Sequence, residues 1–191
     1  MTDEMILPPS ELRTLLRCDT KGGKLFWRRR TLDMFSLKNP AQDMFLLETA
    51  CNSWNTRFAG KEALYCKNSR GYPKGRIWGK HYFAHRVIWA MARDAWPIDQ
   101  IDHINGDPSD NRIANLRACT HAQNMQNQRI GRSNTSGLKG VSWSIAASKW
   151  KAKISNNKKV HYLGVFENIE DAHAAYAAAA KKLHGKFAKT S

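Results

Sequence analysis

Four blocks decide the fold of this chain: Ile101-Asp-His-Ile-Asn-Gly-Asp107, Asp110-Asn-Arg112, Asn115-Leu-Arg117 and Thr120-His-Ala-Gln-Asn124. An Asp-His pair precedes a glycine turn, a loop rich in Asn and Asp follows, and the start of a helix supplies a further Asn. This order of residues is suited to holding a general base and a metal ion close to each other.

The side chains of these blocks match the needs of metal-assisted hydrolysis. A hard divalent cation such as Mg2+ prefers oxygen ligands and usually takes one or two protein groups together with substrate phosphate. Asp102 and Asn124 could supply that oxygen pair. Histidine is the side chain suited to proton transfer near neutral pH, so a neutral His103 could take a proton from water.

Local geometry must bring Asp102 and His103 to one spot. Neighbours in an extended strand point to opposite faces, so the strand has to twist or end there, and Asn105-Gly106 supplies a turn. Thr120 with Gln123 three residues later fits a capping box. This pattern predicts a helix that begins after Thr120 and carries Asn124 near the positive end of its dipole.

The blocks resemble the HNH nucleases, in particular those of phages and their introns, over residues 81–128 with His85-Arg86 included. The resemblance implies a ββα-metal site in which His103 activates water and Asp102 and Asn124 hold one divalent metal. It also implies that Asn115 orients the histidine. The third residue of the His-Asn-His motif that names the family is Asn124 in this sequence, as in the phage branch of the family. His121 is an alternative candidate for the same role.

The intervening loop has a second explanation. Its members Asn105, Asp110 and Asn111 are explained at least equally well as turn and cap residues.

Charge and composition predict a nucleic-acid partner inside the cell. Lys and Arg number 31 against 16 Asp and Glu, a net charge of +15, and such a field attracts polyanions. The cysteines form no Cys-x-x-Cys pair, which argues against a zinc cluster or a disulfide framework. The N-terminus lacks the pattern of a signal peptide, and no apolar run reaches the length of a membrane span.

The segments before residue 100 read as scaffold. Residues 11–17 predict a short helix with Ser10 as its N-cap, residues 25–27 a strand, and residues 76–83 a hairpin. Apolar residues from Ala84 to about Arg93 recur at helical spacing. Residues 31–60 have weak periodicity, so no element or role is assigned to them.

A linker and a second domain follow. Residues 131–137 contain no apolar side chain, which is typical of a linker. Beyond it the pattern predicts three strands, near residues 140–143, 149–154 and 160–166, and a helix that begins after Asn168 and ends at Gly185. In the middle strand, Lys and apolar residues alternate, so one face is cationic and the other is core.

This second domain resembles the AP2 DNA-binding domain over residues 138–188. The matching residues are Lys139-Gly-Val-Ser-Trp143, Trp150-Lys-Ala-Lys-Ile154, Tyr162-Leu-Gly164, Phe166, Glu170-Asp-Ala172, Ala175-Tyr176 and Gly185. The resemblance implies a three-stranded sheet that lies in the DNA major groove, which is wide enough to admit it. Lysines stand where the better-known plant members carry arginines, and lysine is a poorer bidentate reader of guanine. Core packing is the alternative role of Trp143 and, above all, of Trp150.

We therefore predict an α+β protein. Residues 1–130 form an HNH nuclease domain with an N-terminal extension, residues 131–137 a linker, and residues 138–191 a small AP2-like domain of three strands and one helix.

The expected activity is that of a homing-like, metal-dependent DNA endonuclease that nicks double-stranded DNA and is anchored on it by the AP2-like domain. One Mg2+ or Mn2+ ion is the expected cofactor. We expect the protein to be a monomer or weak dimer that does not associate with membranes and that acts in the cytoplasm or nucleoid of an infected bacterial host. One alternative is a non-catalytic DNA-binding regulator of the AP2 type. Another is a nuclease that acts on RNA, but the sequence does not show the aromatic residues on which proteins that bind single-stranded RNA stack bases. The predicted DNA-binding residues are Lys139, Trp143, Lys149, Lys151, Lys153, Arg112 and Arg117.

Overall fold

The computed structural model describes residues 6–36, 43–128, 130–131, 133–157 and 159–190. The chain forms two compact units. The first contains the residues up to His103 together with Asp107–Arg117, and the second contains Ile104–Gly106 and the residues from Ala118 onward. Both units combine helices with small sheets, in agreement with the predicted α+β class. The division differs from the predicted boundary near residue 130, because the segment from Ala118 groups with the C-terminal part.

The first unit opens with helix α1 (Pro9–Leu15) and the antiparallel strands β1 (Leu16–Asp19) and β2 (Lys24–Trp27). The helix was expected from its apolar spacing, but Ser10 is not its N-cap. Pro8 holds that position, and Pro9 begins the helix, where its missing N–H leaves no hydrogen bond unmade.

Two helices occupy part of the segment for which no element was predicted: α2 (Asp33–Ser36) and α3 (Met44–Phe58). The face of α3 that is buried carries Leu47, Cys51 and Asn55, while Phe45 is 74% exposed. A helix that buries a polar and a small residue and exposes an aromatic one gives no apolar stripe. Hydrophobic periodicity therefore could not predict α3.

Asn55 of α3 anchors Arg30. Its Oδ1 accepts from the Arg30 backbone N–H at 2.8 Å, and its Nδ2 donates to the Arg30 carbonyl at 2.9 Å. The Arg30 guanidinium lies 3.7 Å from the centre of the Trp54 ring and 4.1 Å from that of Trp78. We call Arg30 and its four ring neighbours the arginine cage; the rings are Trp27, Phe35, Trp54 and Trp78.

Short strands and one helix complete the scaffold of the first unit. Strand β3 (Glu62–Ala63) pairs with β2, and β4 (Cys66–Lys67), β5 (Pro73–Ile77) and β6 (Lys80–Phe83) form a second sheet. The β5–β6 hairpin was predicted and is confirmed.

Helix α4 (Ala84–Arg93) follows the hairpin directly, also as predicted. It ends at Arg93, where the helical spacing was predicted to end, and Asp94 after it adopts a left-handed conformation with φ +55°. Its buried face packs into a core with α1 and the strands; this core includes Leu12, Leu16, Leu25, Ile77, Val87 and Ile88.

Strand β7 (Gln100–His103) pairs with β8 (Leu116–Cys119) in a two-stranded sheet. Between them the chain makes a polar loop and a 3-10 turn over Ile113–Asn115. Residues 107–112 of that loop are called the catalytic loop below. A pair of strands therefore holds this loop at both ends.

The second unit begins its regular structure with helix α5 (His121–Asn127), for which Thr120 and Gln123 form the predicted capping box. Strands β9 (Val141–Ser144), β10 (Lys149–Asn156) and β11 (Lys159–Phe166) form an antiparallel sheet with β10 in the middle. Helix α6 (Ile169–His184) follows Asn168 and ends at Gly185. The predicted three strands and helix are thus present.

Close packing joins α6 to the sheet. Ala152 and Ile154 of β10 and Ala172, Tyr176 and Ala180 of α6 are buried. Small alanines let the helix approach the strands, as expected from the sequence. In the part of the chain that the structure describes, no helix is both long and apolar enough to cross a bilayer.

Candidate active site

Asp102 and His103 are the last two residues of β7, and their exposed fractions are only 5% and 4%. Neighbouring side chains of a regular strand point to opposite faces, so this pair can serve one site only where the strand ends. β7 ends at His103, and Gly106 follows with φ +72°, which glycine adopts without strain. The strand end predicted from Asn105-Gly106 is therefore confirmed.

A hydrogen bond with Asn111 orients His103. The Asn111 Oδ1 lies 3.0 Å from His103 Nε2, and Asn111 is itself only 3% exposed. Because an amide oxygen can only accept, Nε2 carries the proton in this pair and the lone pair of the neutral ring lies on Nδ1. The arrangement leaves His103 in the tautomer that a general base at Nδ1 requires.

Asn115, the residue predicted to orient the histidine, holds the catalytic loop. Its Nδ2 donates to the Asp110 carbonyl at 2.8 Å, one residue before Asn111. Asn115 is thus connected to His103 through the backbone that carries Asn111. Sequence reasoning missed Asn111 because an Asn in a polar loop is equally well explained as a turn residue. Its position directly after Asp110, in a loop tied down by Asn115, was the available signal.

Two further rings border His103. His85, the second residue of α4, lies 5.2 Å from it between ring centroids, and Tyr72 lies 5.7 Å away; both contacts are edge-to-face. His85 is 7% exposed. Burial, and secondarily the positive charges of His103 and Arg86, lower the pKa of His85 to about 3. His85 is therefore a neutral imidazole at working pH, next to the candidate base.

Asp102 forms a buried ion pair with Arg117. The Arg117 Nε and one of its terminal nitrogens both contact Asp102 Oδ2, at 2.7 and 2.6 Å, and the two side chains are 15% and 5% exposed. Arg117 was predicted to contact DNA. The structure places its guanidinium on the carboxylate that was predicted to bind metal, where it offsets the cost of burying that charge.

The turn between β1 and β2 packs against the catalytic loop. Gly23 has φ +68°, and a Cβ there would lie 2.5 Å from the Arg112 backbone nitrogen and 2.7 Å from the Asn111 carbonyl carbon. The Ile113 N–H also donates to the Thr20 carbonyl at 3.0 Å. The turn and the loop therefore fit together only if residue 23 has no side chain.

The oxygen donors at this site suit a hard divalent cation. Within the described ranges, no group of three or more His, Cys, Asp or Glu side chains could hold a metal ion. Mg2+ needs no such cage, because it keeps several waters and takes one or two protein groups with substrate phosphate. Asp102 provides a buried carboxylate of that kind. Asn124, the other predicted ligand, is the fourth residue of α5 in the second unit, and the alternative residue His121 is the first.

Three lysines of β10 lie on one face of the C-terminal sheet. Lys151 pairs across the strands with Ser142 and Val165, and Lys153 pairs with Tyr162, so these residues share the face opposite the buried Ala152. Tyr162 is 63% exposed. Lys149 continues the row and forms an exposed ion pair with Glu167. The predicted alternation of cationic and core positions in β10 is present.

Trp143 lies on the other face of that sheet. It is opposite Trp150, with which it makes an edge-to-face contact at 5.1 Å, and Trp150 has the same strand parity as the buried Ala152. Trp143 is nevertheless 49% exposed, because β9 is an edge strand. The strand register thus separates this predicted DNA contact from the lysine row.

Lys139 is engaged within the second unit. Its ammonium donates to the carbonyls of Gln126 and Gln128, at 2.7 and 2.6 Å, where α5 ends. Burial, and secondarily the charge of Lys189, lower the pKa of Lys139 to about 8. Lys139 therefore acts as a C-terminal cap of α5 in this structure. Arg112, another predicted DNA contact, is exposed and pairs with Asp110 at 2.6 Å.

Comparison with known proteins gives concordant results. A family profile described as HNH endonuclease matches residues 82–126. Protein 3.8 of Escherichia phage T7 is 34% identical over 106 residues, which cover 55% of this chain and 87% of that protein. A protein of Acanthamoeba polyphaga mimivirus named as an uncharacterized HNH endonuclease is 32% identical over 120 residues, 62% of this chain and 61% of its own length. No solved structure gives a significant match.

The matched segment contains every residue that was predicted to act in catalysis or to bind the metal. Residues 82–126 include the end of β6, the whole of α4, β7, the catalytic loop and β8, and most of α5. The viral relatives extend the similarity well beyond these residues. On these grounds the chain belongs to the HNH endonuclease family and is a nuclease.

Proposed function

We propose that the chain is a metal-dependent endonuclease that hydrolyses phosphodiester bonds of double-stranded DNA. The observation that carries the proposal is the hydrogen bond from His103 Nε2 to the buried Asn111. With the proton on Nε2, the lone pair of Nδ1 can take a proton from water. The water oxygen then bonds to phosphorus and the bond to the 3′ oxygen breaks. The departing 3′ oxygen takes up a proton from solvent water, so the products carry a 5′ phosphate and a 3′ hydroxyl.

Asp102 and Asn124 are the residues that we propose to hold one divalent ion, Mg2+ or Mn2+. When bound, the ion would supply positive charge for the pentavalent phosphorus and the departing oxygen. Asp102 Oδ2 already accepts a hydrogen bond from Arg117 Nε and lies 2.6 Å from a terminal nitrogen of the same guanidinium. A carboxylate that is partly neutralised binds a cation weakly, so we expect the substrate phosphate to be needed for tight binding.

The C-terminal sheet is the proposed DNA anchor. The resemblance to the AP2 domain supports this role, and so does the lysine row of β10 flanked by the exposed Tyr162 and Val160. Lysine contacts phosphate as a point charge and reads bases poorly. We therefore expect binding that depends strongly on salt and weakly on base sequence.

One His103 per chain supports nicking of a single strand. A monomer or weak dimer that nicks DNA in a homing-like manner, inside an infected bacterial cell, is the form of the proposal that the phage relative favours. A double-strand break would then require a second copy or a second binding event.

A supercoiled-plasmid assay tests the activity. Wild-type protein should convert supercoiled plasmid to open circles with Mg2+ or Mn2+ but not with EDTA. His103→Ala and Asn111→Ala should lose this conversion yet bind DNA as well as the wild type does. His81→Ala, which alters an exposed histidine of the same unit, is the matched control and should remain active.

Two results would count against the proposal. Binding without any metal-dependent conversion by the wild type would instead support the non-catalytic regulator. If His103→Ala and His81→Ala cut equally well, His103 would not be the base.

A further inference from the structure

His85 lies beside the candidate base but has no role in the mechanism above. It is the second residue of α4, it is 7% exposed, and its ring meets that of His103 edge to face at 5.2 Å. Its Nδ1 is buried and has no hydrogen-bond partner. The other rings around it belong to Tyr72 and Phe83.

As a packing residue alone, this histidine would be a poor choice. A buried nitrogen without a partner lowers stability, because it loses water and gains nothing in exchange. A phenylalanine ring would fill the same space among Tyr72, Phe83 and His103 without that loss. Sites where a chain keeps such a local cost are typically those where the group is needed for function.

The tautomer follows from the same observation. A proton on Nδ1 would be enclosed with no acceptor, so the proton of the neutral ring belongs on Nε2. In the described part of the chain, the buried unpartnered side-chain atoms include His85 Nδ1 but not its Nε2. The ring thus has one enclosed nitrogen, Nδ1, and one nitrogen, Nε2, that can donate a hydrogen bond.

The position of the His85 ring indicates which group could accept its hydrogen bond. The attacking water must lie within about 2.6–3.2 Å of the base, and the scissile phosphate must lie next to that water. A ring 5.2 Å from His103 is near enough for its N–H to reach an oxygen of a phosphate that lies beside that water. Non-bridging phosphate oxygens gain negative charge as the bond to water forms, and a neutral N–H aimed at them stabilises that charge.

We propose that His85 donates its imidazole N–H to a non-bridging oxygen of the scissile phosphodiester when DNA is bound. The inference rests on the proposed function, in which His103 is the base. It makes His85 a second catalytic histidine that acts as a fixed hydrogen-bond donor and does not transfer a proton.

The experiment compares His85→Phe with His85→Gln. His85→Phe keeps the ring and removes both nitrogens, so its urea midpoint should be higher than that of the wild type. Its kcat should fall by about 100-fold, as on removal of one donor to a developing oxyanion, while KM for duplex DNA stays within about threefold. His85→Gln, whose amide N–H can occupy the place of Nε2, should recover about tenfold of the lost kcat.

Sulfur substitution of the substrate provides a readout that a packing role would not change. With a phosphorothioate at the cleavage position, one of the two stereoisomers should slow the wild type. His85→Phe should have lost that particular sensitivity, because it no longer contacts the substituted oxygen. Wild-type protein, His103→Ala and His81→Ala serve as references.

Each outcome bears on a distinct claim. Wild-type cleavage together with an equally active His85→Phe would overturn this inference alone. A lower urea midpoint for His85→Phe would overturn it too, because Nδ1 would then have had a stabilising partner. A wild-type protein that does not cleave at all would overturn the proposed function and this inference with it.

Discussion

Arg117→Met should destabilise the first unit far more than Arg112→Met, although each arginine lies 2.6 Å from an aspartate. The two ion pairs differ in burial. Arg117 and Asp102 are 15% and 5% exposed, whereas Arg112 and Asp110 are 57% and 15% exposed. Replacing Arg117 leaves the Asp102 carboxylate buried without this partner. Replacing Arg112 removes a guanidinium that is already in solvent and leaves a carboxylate that is three times as exposed as that of Asp102.

The expected cost follows from the contact distance and the burial. At 2.6 Å, two unit charges attract by about 6 kcal/mol if the effective dielectric constant is about 20. Desolvation offsets much of that attraction, and removal of one partner from a buried pair costs about 3–5 kcal/mol. For a chain of this length, the melting temperature should fall by on the order of 10 °C. The exposed pair of Arg112 contributes little, because water and salt screen it.

Urea unfolding followed by tryptophan fluorescence measures both variants under the same conditions. The double variant Asp102→Asn with Arg117→Met removes both charges and should recover most of the stability that Arg117→Met loses. Added Mn2+ should raise the urea midpoint of Arg117→Met more than that of the wild type, since a cation can replace the guanidinium. If Arg117→Met proves no less stable than Arg112→Met, the reasoning about the buried pair is refuted.

Three further predictions concern the turn, the acid stability and the DNA surface. Gly23→Ala should lower kcat by up to about 100-fold, because the new Cβ displaces the catalytic loop. The control is Gly60→Ala: Gly60 has a similar φ of +80°, but a Cβ there meets no atom within 4 Å, so this variant should cleave at the wild-type rate. Equal cleavage rates for the two variants would contradict the prediction. Folding lowers the pKa of His85 from 6.5 to about 3, so below pH 6.5 the unfolded chain binds a proton at this residue more readily than the folded chain does. The free energy of unfolding should therefore decrease below pH 6.5, by at most about 1.4 kcal/mol per pH unit. Urea midpoints at pH 7.5 and 5 should show a smaller loss for His85→Phe, and identical losses would exclude this cause. Lys153→Ala should reduce the slope of log K against log salt by about 0.9 in DNA-binding titrations, and Lys181→Ala, on the exposed side of α6, should not.

Local signals in the sequence predicted the strand end at His103 and the cap of α5. Asp102 and His103 precede a glycine turn, and Thr120 has Gln123 three residues later, so both features depend on nearest neighbours along the chain. Short-range rules of this kind suffice where the backbone itself determines the outcome. The strands and the helix of the second unit followed from alternation and capping in the same way.

Partners from distant parts of the chain could not be predicted. Nothing near Arg117 indicates that it pairs with a carboxylate 15 residues earlier, and nothing near Lys139 indicates that it caps α5. Both were predicted to contact DNA because a cation in a basic chain has that simple explanation. Asn111 was missed for a similar reason, since its bond to His103 depends on how the catalytic loop folds back.

The arginine cage gives the protein a built-in optical reporter. Trp27 and Trp54 lie 5.6 Å apart at nearly a right angle, with a cation 3.7 Å from one of them, while Trp143 and Trp150 form a separate pair 5.1 Å apart in the other unit. Coupled indoles at such distances should produce near-ultraviolet circular dichroism bands that vanish when their surroundings melt. Trp54→Phe would remove the circular dichroism signal of the first pair, and Trp143→Phe that of the second. The melting of each unit could then be followed separately without an added label.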